Sequence, residues 1–182
     1  MLRTAFILSL FGALIGNAYN SLHAFSGTIP VTVVHTNPLL DWQSYLLFGF
    51  AGLTIGGLTL LIDKWRGKSN PVSWSSAISA IAFLGVFYLL SACMFLSNTV
   101  LFIILLSGFI LSWALYDRSG DAILAALLVA IAGSTAEIAQ VYYHCYYYAR
   151  PQVLGVPYWL PLLYLIASIT TGQLARASRS AG

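Results

Sequence analysis

Charged residues are what this chain most lacks. Eight Lys and Arg and five Asp and Glu occur among 182 residues, together 7% of the chain, whereas a soluble domain carries about 25%. Hydrophobic residues make up 59%, and the mean hydropathy is +0.85. A surface with so few charges cannot face water over most of its area. The composition therefore excludes a soluble globular domain and predicts an integral membrane protein.

Metal-binding and catalytic signatures are also lacking. The two cysteines, Cys93 and Cys145, match no metal-ligand spacing, and the histidines at positions 23, 35 and 144 each stand alone. We find no Gly-x-Ser-x-Gly, no His-Glu-x-x-His and no glycine-rich phosphate loop. The eight basic residues lie at segment ends and form no patch for nucleic acid. We therefore expect a non-enzymatic protein without a metal or cofactor.

Long apolar runs are what the chain has in abundance. About 20 apolar residues cross the hydrocarbon core as a helix, and six stretches qualify. They are Thr4–Leu22, Ser44–Ile62, Ala77–Leu96, Thr99–Leu115, Ala122–Val141 and Tyr158–Leu174. A tight turn at Ser97-Asn98 joins the third and fourth. The sequence predicts an all-α polytopic protein, a six-transmembrane-helix bundle forming a single transmembrane domain over residues 1–182.

The basic residues predict the orientation of this bundle. With Arg3 in the cytoplasm, six crossings place seven of the eight basic residues on the cytoplasmic side and only Arg150 outside. The positive-inside rule therefore predicts that both termini are cytoplasmic. The first segment could instead be a signal peptide, since small residues follow near positions 16–18. The loop from His23 to Asp41 contains Pro30 and Pro38, so we expect it to be extended or interfacial.

Glu137 is the only carboxylate well inside an apolar segment. A charge near the bilayer interior costs at least ~2.5–3.5 kcal/mol, so such residues usually face a bundle interior, a cavity or a partner. Ser134, Val141 and His144 share its helical face. Three interpretations stay open: pairing with another helix, the wall of a ligand cavity, or a proton relay. A small membrane enzyme or proton-coupled carrier centred on Glu137 is the alternative function.

Other polar or small-residue features have two interpretations each. The tyrosines at the end of the fifth segment predict an interfacial belt, or else the polar rim of a lipid cavity. The loop Asp117-Arg118-Ser119-Gly120-Asp121 predicts a tight helix–helix turn, or a surface that recruits a membrane protein. The pairs Gly12/Gly16 and Gly52/Gly56 allow close helix packing, within the chain or between copies. The tyrosines are Tyr142, Tyr143, Tyr146, Tyr147 and Tyr148.

The order and spacing of several stretches resemble the Insig family of small endoplasmic-reticulum membrane proteins. The resemblance covers roughly Trp42 to Arg176, and the first segment matches only in character. No single motif is specific; the joint spacing carries the match. The matching residues are Trp42, Gly49, Ile55, Gly56, Ile62, Asp63, Asp117, Arg118, Ser119, Val141, Tyr142, Tyr146, Tyr148, Pro151, Trp159, Leu160, Pro161, Thr170, Gly172 and Arg176.

The resemblance implies a six-helix lipid-responsive binding protein that is not an enzyme. Insig proteins hold an oxysterol in the membrane and pair with partners such as Scap and the sterol-synthesis reductase. The family's Scap-supporting aspartate matches Asp117, so Asp117 and Arg118 are candidate partner-binding residues. Prokaryotic relatives hold a diacylglycerol-like lipid. The chain has no long soluble N-terminal extension, as expected for a compact prokaryotic homologue in a bacterial inner membrane; a eukaryotic one would lie in the endoplasmic reticulum.

One position departs from the family pattern. The intramembrane glutamine that meets the sterol hydroxyl falls on Ile138 here, and Glu137 lies about 100° away around the helix. We expect a membrane lipid as the ligand, either diacylglycerol-like or sterol-like, with no nucleic acid among the partners. Homo-oligomers and a membrane-protein partner stay open. The candidate lipid-binding residues are Asn17, Ser134, Glu137, Ile138 and Val141.

Overall fold

The computed structural model describes residues 1–29, 42–68 and 71–180. Most of the loop predicted to be extended, residues 30–41, lies outside the described residues, while His23 to Phe25 belong to the first helix. That helix contains one π-helical turn, Gly12–Gly16. The described residues form six helices: α1 (Leu2–Phe25), α2 (Trp42–Trp65), α3 (Trp74–Ser91), α4 (Asn98–Tyr116), α5 (Gly120–Tyr142) and α6 (Leu160–Ser180).

The sixth helix is the centre of the bundle. Helix α6 packs against α1, α2, α3, α4 and α5, and nearly all of its residues are buried. In the described part of the chain, α1 to α5 are long and apolar enough to cross a membrane, and α6 is not among them. Helix α6 is less apolar because it faces protein on all sides. It can therefore carry buried polar residues where α1 to α5 need apolar ones. The all-α prediction is confirmed.

Serine side chains define where three of the helices begin. The hydroxyls of Ser73, Ser97 and Ser119 accept from the backbone N–H groups of Ser76, Val100 and Ala122 at 3.2, 3.3 and 3.1 Å. Each bond satisfies a backbone donor that the first turn of a helix leaves unpaired. The tight turn predicted at Ser97-Asn98 is wrong, because residues 92–97 connect the third and fourth helices and Ser97 is the N-cap of α4.

The third helix ends earlier than the sequence predicts. Helix α3 ends at Ser91, not at Leu96, and a turn follows. The guanidinium of Arg150 donates to the carbonyl oxygens of Leu96, at 2.9 Å, and Met94. These bonds pair two carbonyls of the connection between α3 and α4, and they come from a residue more than 50 positions away. Helix α6 differs in the other direction, because it continues to Ser180 instead of ending at Leu174.

Glycines bring α1 and α2 into backbone contact. A Cβ placed on Gly12 would lie 2.0 Å from the carbonyl oxygen of Phe48, and one on Gly52 would lie 2.4 Å from that of Leu8. Helices in lipid associate through such close packing because apolar side chains gain little from leaving lipid tails. The predicted small-residue pairs therefore serve packing within one chain.

Two glycines of α2 give a matched test of this contact. We expect Gly52→Ala to destabilise the chain by about 1–3 kcal/mol, because the new methyl group must push α1 away. Gly57 has no atom within 4 Å of its Cβ position, so Gly57→Ala should be neutral or stabilise by up to about 1 kcal/mol through helix propensity. Thermal unfolding in detergent, followed by circular dichroism, measures both. Equal losses in the two variants would contradict the close contact.

Candidate functional site

A cavity of ≈ 860 Å³ lies between α1 and α2 on one side and α5 and α6 on the other. Helix α3 contributes Leu84 and Tyr88 to its wall. Its walls are mostly apolar, and its volume falls within the roughly 300–1,000 Å³ typical of small-molecule sites. The cavity is therefore large enough for an amphipathic ligand and offers it mainly hydrophobic contacts.

Glu137 supplies the carboxyl group of the cavity wall. Its Oε1 accepts from the hydroxyl of Tyr164, on α6, at 2.7 Å, and its Oε2 accepts from the hydroxyl of Tyr148 at 3.0 Å. Burial raises the pKa of Tyr148, in the loop after α5, well above its usual value, so this phenol stays protonated and donates. The two tyrosines fix the carboxyl group from two sides, and each oxygen keeps a lone pair for a further bond.

Four tyrosines line the same cavity: Tyr19, Tyr88, Tyr146 and Tyr164. The rings of Tyr19 and Tyr88 lie 5.3 Å apart, and the hydroxyl of Tyr19 donates to the carbonyl of Ile81 at 3.0 Å. No Lys, Arg or His is found on the cavity wall within residues 1–29, 42–68 and 71–180. The polar part of the described cavity wall thus consists of phenols, amides, hydroxyls, the thiol of Cys145 and one carboxyl group.

The structure separates the five predicted lipid-binding residues. Glu137 lies on the cavity wall. Ile138 and Val141 pack against the hydrophobic core. Asn17 is buried, and neither its amide nitrogen nor its oxygen has a hydrogen-bond partner among the described residues; the buried hydroxyl of Ser134 also has none there. These four residues are absent from the described part of the cavity wall.

Sequence reasoning missed Tyr88 and Tyr164 as site residues. A signal for Tyr164 exists, because Ala167 and Thr171 follow at helical spacing on the same face of α6, and both also line the cavity. The tyrosine cluster after α5 divides between its two interpretations. Three members are exposed, as an interfacial belt requires: Tyr142, Tyr143 and Tyr147. Tyr146 instead lines the cavity, and Tyr148 is buried against Glu137.

A second polar cluster ties three helix ends together. The guanidinium of Arg176 donates from Nε to Asp63 Oδ2 at 2.8 Å and from Nη2 to Asp63 Oδ1 at 2.9 Å. Its Nη1 donates to the carboxylate of Asp117, whose Oδ1 accepts from the backbone N–H of Ser119 at 3.1 Å. The side chains of Arg176 and Asp63 are 3% and 1% exposed. A planar, bidentate pair of this kind is the strong form of charged hydrogen bond.

The two candidate partner-binding residues lie in different environments. The side chain of Asp117 is 9% exposed, and it bonds inside the molecule. Arg118 is exposed, with its Nε donating to the carbonyl of Ala114 at 2.6 Å. The structure therefore gives Asp117 the role of fixing the loop, and it presents Arg118 to the surroundings.

The family assignment follows from comparison with known proteins. The model of the family described as Insulin-induced protein (INSIG) matches residues 3–177. The chain belongs to the Insig family. Insig proteins are regulatory membrane proteins and not enzymes, so the enzyme alternative for Glu137 is excluded. The family predicted from the residue pattern is confirmed.

Individual relatives show how far the similarity extends. The Insulin-induced gene 2 protein of Xenopus tropicalis is 29% identical over 138 residues, which covers 74% of this chain and 63% of that protein. The corresponding protein of Xenopus laevis is 26% identical over 181 residues, covering 97% and 83%. The Insulin-induced gene 1 protein of Danio rerio is 25% identical over 181 residues, covering 97% and 72%.

Solved structures confirm the Insig fold. A crystal structure of MvINS, a mycobacterial Insig homologue from Mycobacterium vanbaalenii, has a TM-score of 0.83 at 19% identity and covers 99% of this chain and 96% of that one. A cross-linked MvINS trimer has a TM-score of 0.82 at 20% identity, with the same coverage. The likeness to a bacterial homologue agrees with the prokaryotic relationship inferred from the sequence.

The buried arginine gives a testable consequence. We expect Arg176→Gln to destabilise the chain by about 3–5 kcal/mol, because it leaves Asp63 and Asp117 without a counter-charge. Arg179→Gln, on the exposed end of the same helix, should change stability by less than about 0.5 kcal/mol. Chemical denaturation in detergent compares the two. Adding Asp63→Asn to Arg176→Gln should recover part of the loss, and no recovery would show that charge burial is not the cause.

Proposed function

We propose that this Insig-family protein is a lipid-binding sensor or regulator that holds a diacylglycerol-like or sterol-like lipid in its intramembrane cavity. The observation that supports this proposal is the ≈ 860 Å³ cavity, whose mostly apolar wall also contains the hydrogen-bonded pair of Glu137 and Tyr164. Burial of acyl or ring surface, at about 25 cal/mol per Å², supplies most of the affinity. The carboxyl and phenol groups orient the lipid.

The chemistry of the wall favours a neutral head group over a phosphate. A phosphate in the cavity would meet the carboxyl group of Glu137 without any cationic side chain from the described wall, and an uncompensated buried charge is costly. A hydroxyl or ester needs no counter-charge. In its neutral form, Glu137 donates to such a group, while the oxygen of Tyr164 can accept from a hydroxyl.

The orientation in the membrane is part of the proposal. All six helices cross the bilayer, with α6 shielded from lipid by the other five, and both termini are cytoplasmic. Support comes from the basic residues near the ends of α2, α4 and α6, which the Arg176 cluster brings to the same end of the bundle. The bacterial inner membrane is the proposed location for a prokaryotic source, and the endoplasmic reticulum for a eukaryotic one.

Self-association is also proposed, and the trimeric state of the cross-linked mycobacterial homologue supports it. Any membrane-protein partner would meet the exposed Arg118 of the α4–α5 loop, while Asp117 holds that loop from inside. Native mass spectrometry of the purified chain reports the assembly mass and the bound lipid together. A purely monomeric spectrum under conditions that retain lipid would contradict self-association.

Substitutions at Glu137 test the polar contact. We expect Glu137→Gln to retain co-purified lipid, because the amide still donates and accepts, and Glu137→Leu to lose most of it. Thr135→Leu is the matched control, since Thr135 is exposed on the same helix and its hydroxyl donates to the carbonyl of Ile131 at 2.8 Å. Lipid content is measured by mass spectrometry of purified protein. Equal lipid retention in both Glu137 variants would contradict the assignment of Glu137 as a polar contact of the lipid.

A volume test leaves the polar pair intact. Ala136 lines the cavity, whereas Ala139, exposed on the same helix, is not among the described wall residues. We expect Ala136→Phe to fill part of the cavity and reduce lipid occupancy, and Ala139→Phe to leave it unchanged. The same lipid measurement applies, with thermal unfolding to confirm that both variants are folded. Unchanged occupancy in Ala136→Phe would place the lipid elsewhere.

A further inference from the structure

The carboxyl group of Glu137 lacks a counter-ion in the part of the chain that the structure describes. The other three described carboxylates, Asp63, Asp117 and Asp121, all pair with Arg or Lys side chains. Glu137 receives two phenol hydrogen bonds instead. Donors of this kind stabilise an anion, but they contribute no positive charge. An ionised Glu137 thus leaves one negative charge facing the cavity for a ligand to neutralise.

The surroundings of Glu137 suit a cation. Tyr19, Tyr88, Tyr146 and Tyr164 line the same cavity, and aromatic faces attract ammonium groups, most strongly where water is excluded. Tyr164 bonds directly to the carboxyl group, and the rings of Tyr19 and Tyr88 are 5.3 Å apart. None of the described wall residues is a Lys, Arg or His that would repel a cation.

We propose that the cavity also accepts cationic amphiphiles: long-chain lipid amines whose ammonium group pairs with Glu137 among the tyrosines. The alkyl chain then lies along the apolar walls of α1 and α2. The inference rests on the proposed lipid cavity and extends its ligand class from neutral head groups to positive ones. An ammonium group meets the carboxylate form of Glu137, and a hydroxyl or ester meets the neutral form. Anionic amphiphiles are rejected by both forms.

Three probes of equal chain length isolate the head-group charge. Hexadecylamine, hexadecanol and hexadecyl sulfate are titrated at neutral pH into the delipidated full chain in non-ionic detergent, with native mass spectrometry as the readout. We expect the amine to bind at least about tenfold more tightly than the alcohol, and the sulfate most weakly. In Glu137→Gln the amine should fall to the level of the alcohol, and thermal unfolding of that variant, followed by circular dichroism, shows that the fold is intact.

The outcomes separate this inference from the proposed function. Equal binding of amine and alcohol to the unmodified chain, or an amine preference that survives in Glu137→Gln, would overturn the cationic site and leave the neutral-lipid cavity standing. Failure of both amine and alcohol to bind would instead remove the cavity as a lipid site. Ala136→Phe controls for partition into the detergent micelle, because it should weaken both probes. Amine binding that persists undiminished in that variant would also overturn the proposal.

Discussion

Several polar side chains of α6 have their hydrogen-bond partners on the surrounding helices, as buried polar groups require. Gln173 donates to the carbonyl of Tyr116 at 2.9 Å and accepts from the hydroxyl of Ser76 at 3.3 Å. Thr170 donates to the carbonyl of Ala80 at 3.2 Å. These bonds, with those of Arg176 and Tyr164, connect α6 to α2, α3, α4, the loop after α4, and α5. Each bond requires one particular neighbouring helix at one position along the axis of α6. The polar residues of α6 therefore specify the arrangement of the bundle.

The same helix joins the two polar clusters of the molecule. Tyr164 contacts the carboxyl group at the cavity, and Arg176 holds Asp63 and Asp117 at the other end. Their separation of twelve residues corresponds to about 18 Å along a helix. Thr171, between them, also lines the cavity. One helix therefore contacts both the cavity and the Asp117 loop.

Hydropathy is a better predictor of helices that face lipid than of helices that face protein. The apolar runs of α1 to α5 are evident in the sequence because lipid contact requires them. Helix α6 was predicted to end at Leu174, since the residues beyond it include an arginine, and a sequence alone does not show that Asp63 and Asp117 neutralise it. The end of α3 was misplaced for a similar reason, because Arg150 bonds from far along the chain to the carbonyls of Met94 and Leu96 in the connection that follows α3. Long-range polar pairing is the information that local pattern lacks.

The candidate site shows the same limit at finer scale. The predicted stripe of Ser134, Glu137 and Val141 follows helical spacing, but the described cavity wall on α5 follows the neighbouring stripe: Leu128, Val129, Ala132, Gly133, Ala136, Glu137 and Gln140. Glu137 belongs to both stripes and lies at their boundary. Periodicity alone identifies two faces around a polar residue, and it cannot decide which one is opposite a gap between helices.

Position 138 explains why this boundary matters for the ligand. Ile138 packs against the hydrophobic core, so the position that carries the polar sterol contact in the resemblance to Insig proteins is apolar and packed here. The polar group has instead moved one residue, about 100° around α5, where two tyrosines hold it at the cavity wall. A carboxyl group also differs from a carboxamide because it can carry a charge. Under the proposed function, the shift changes both the direction from which a head group is met and the head-group charge that the cavity can tolerate.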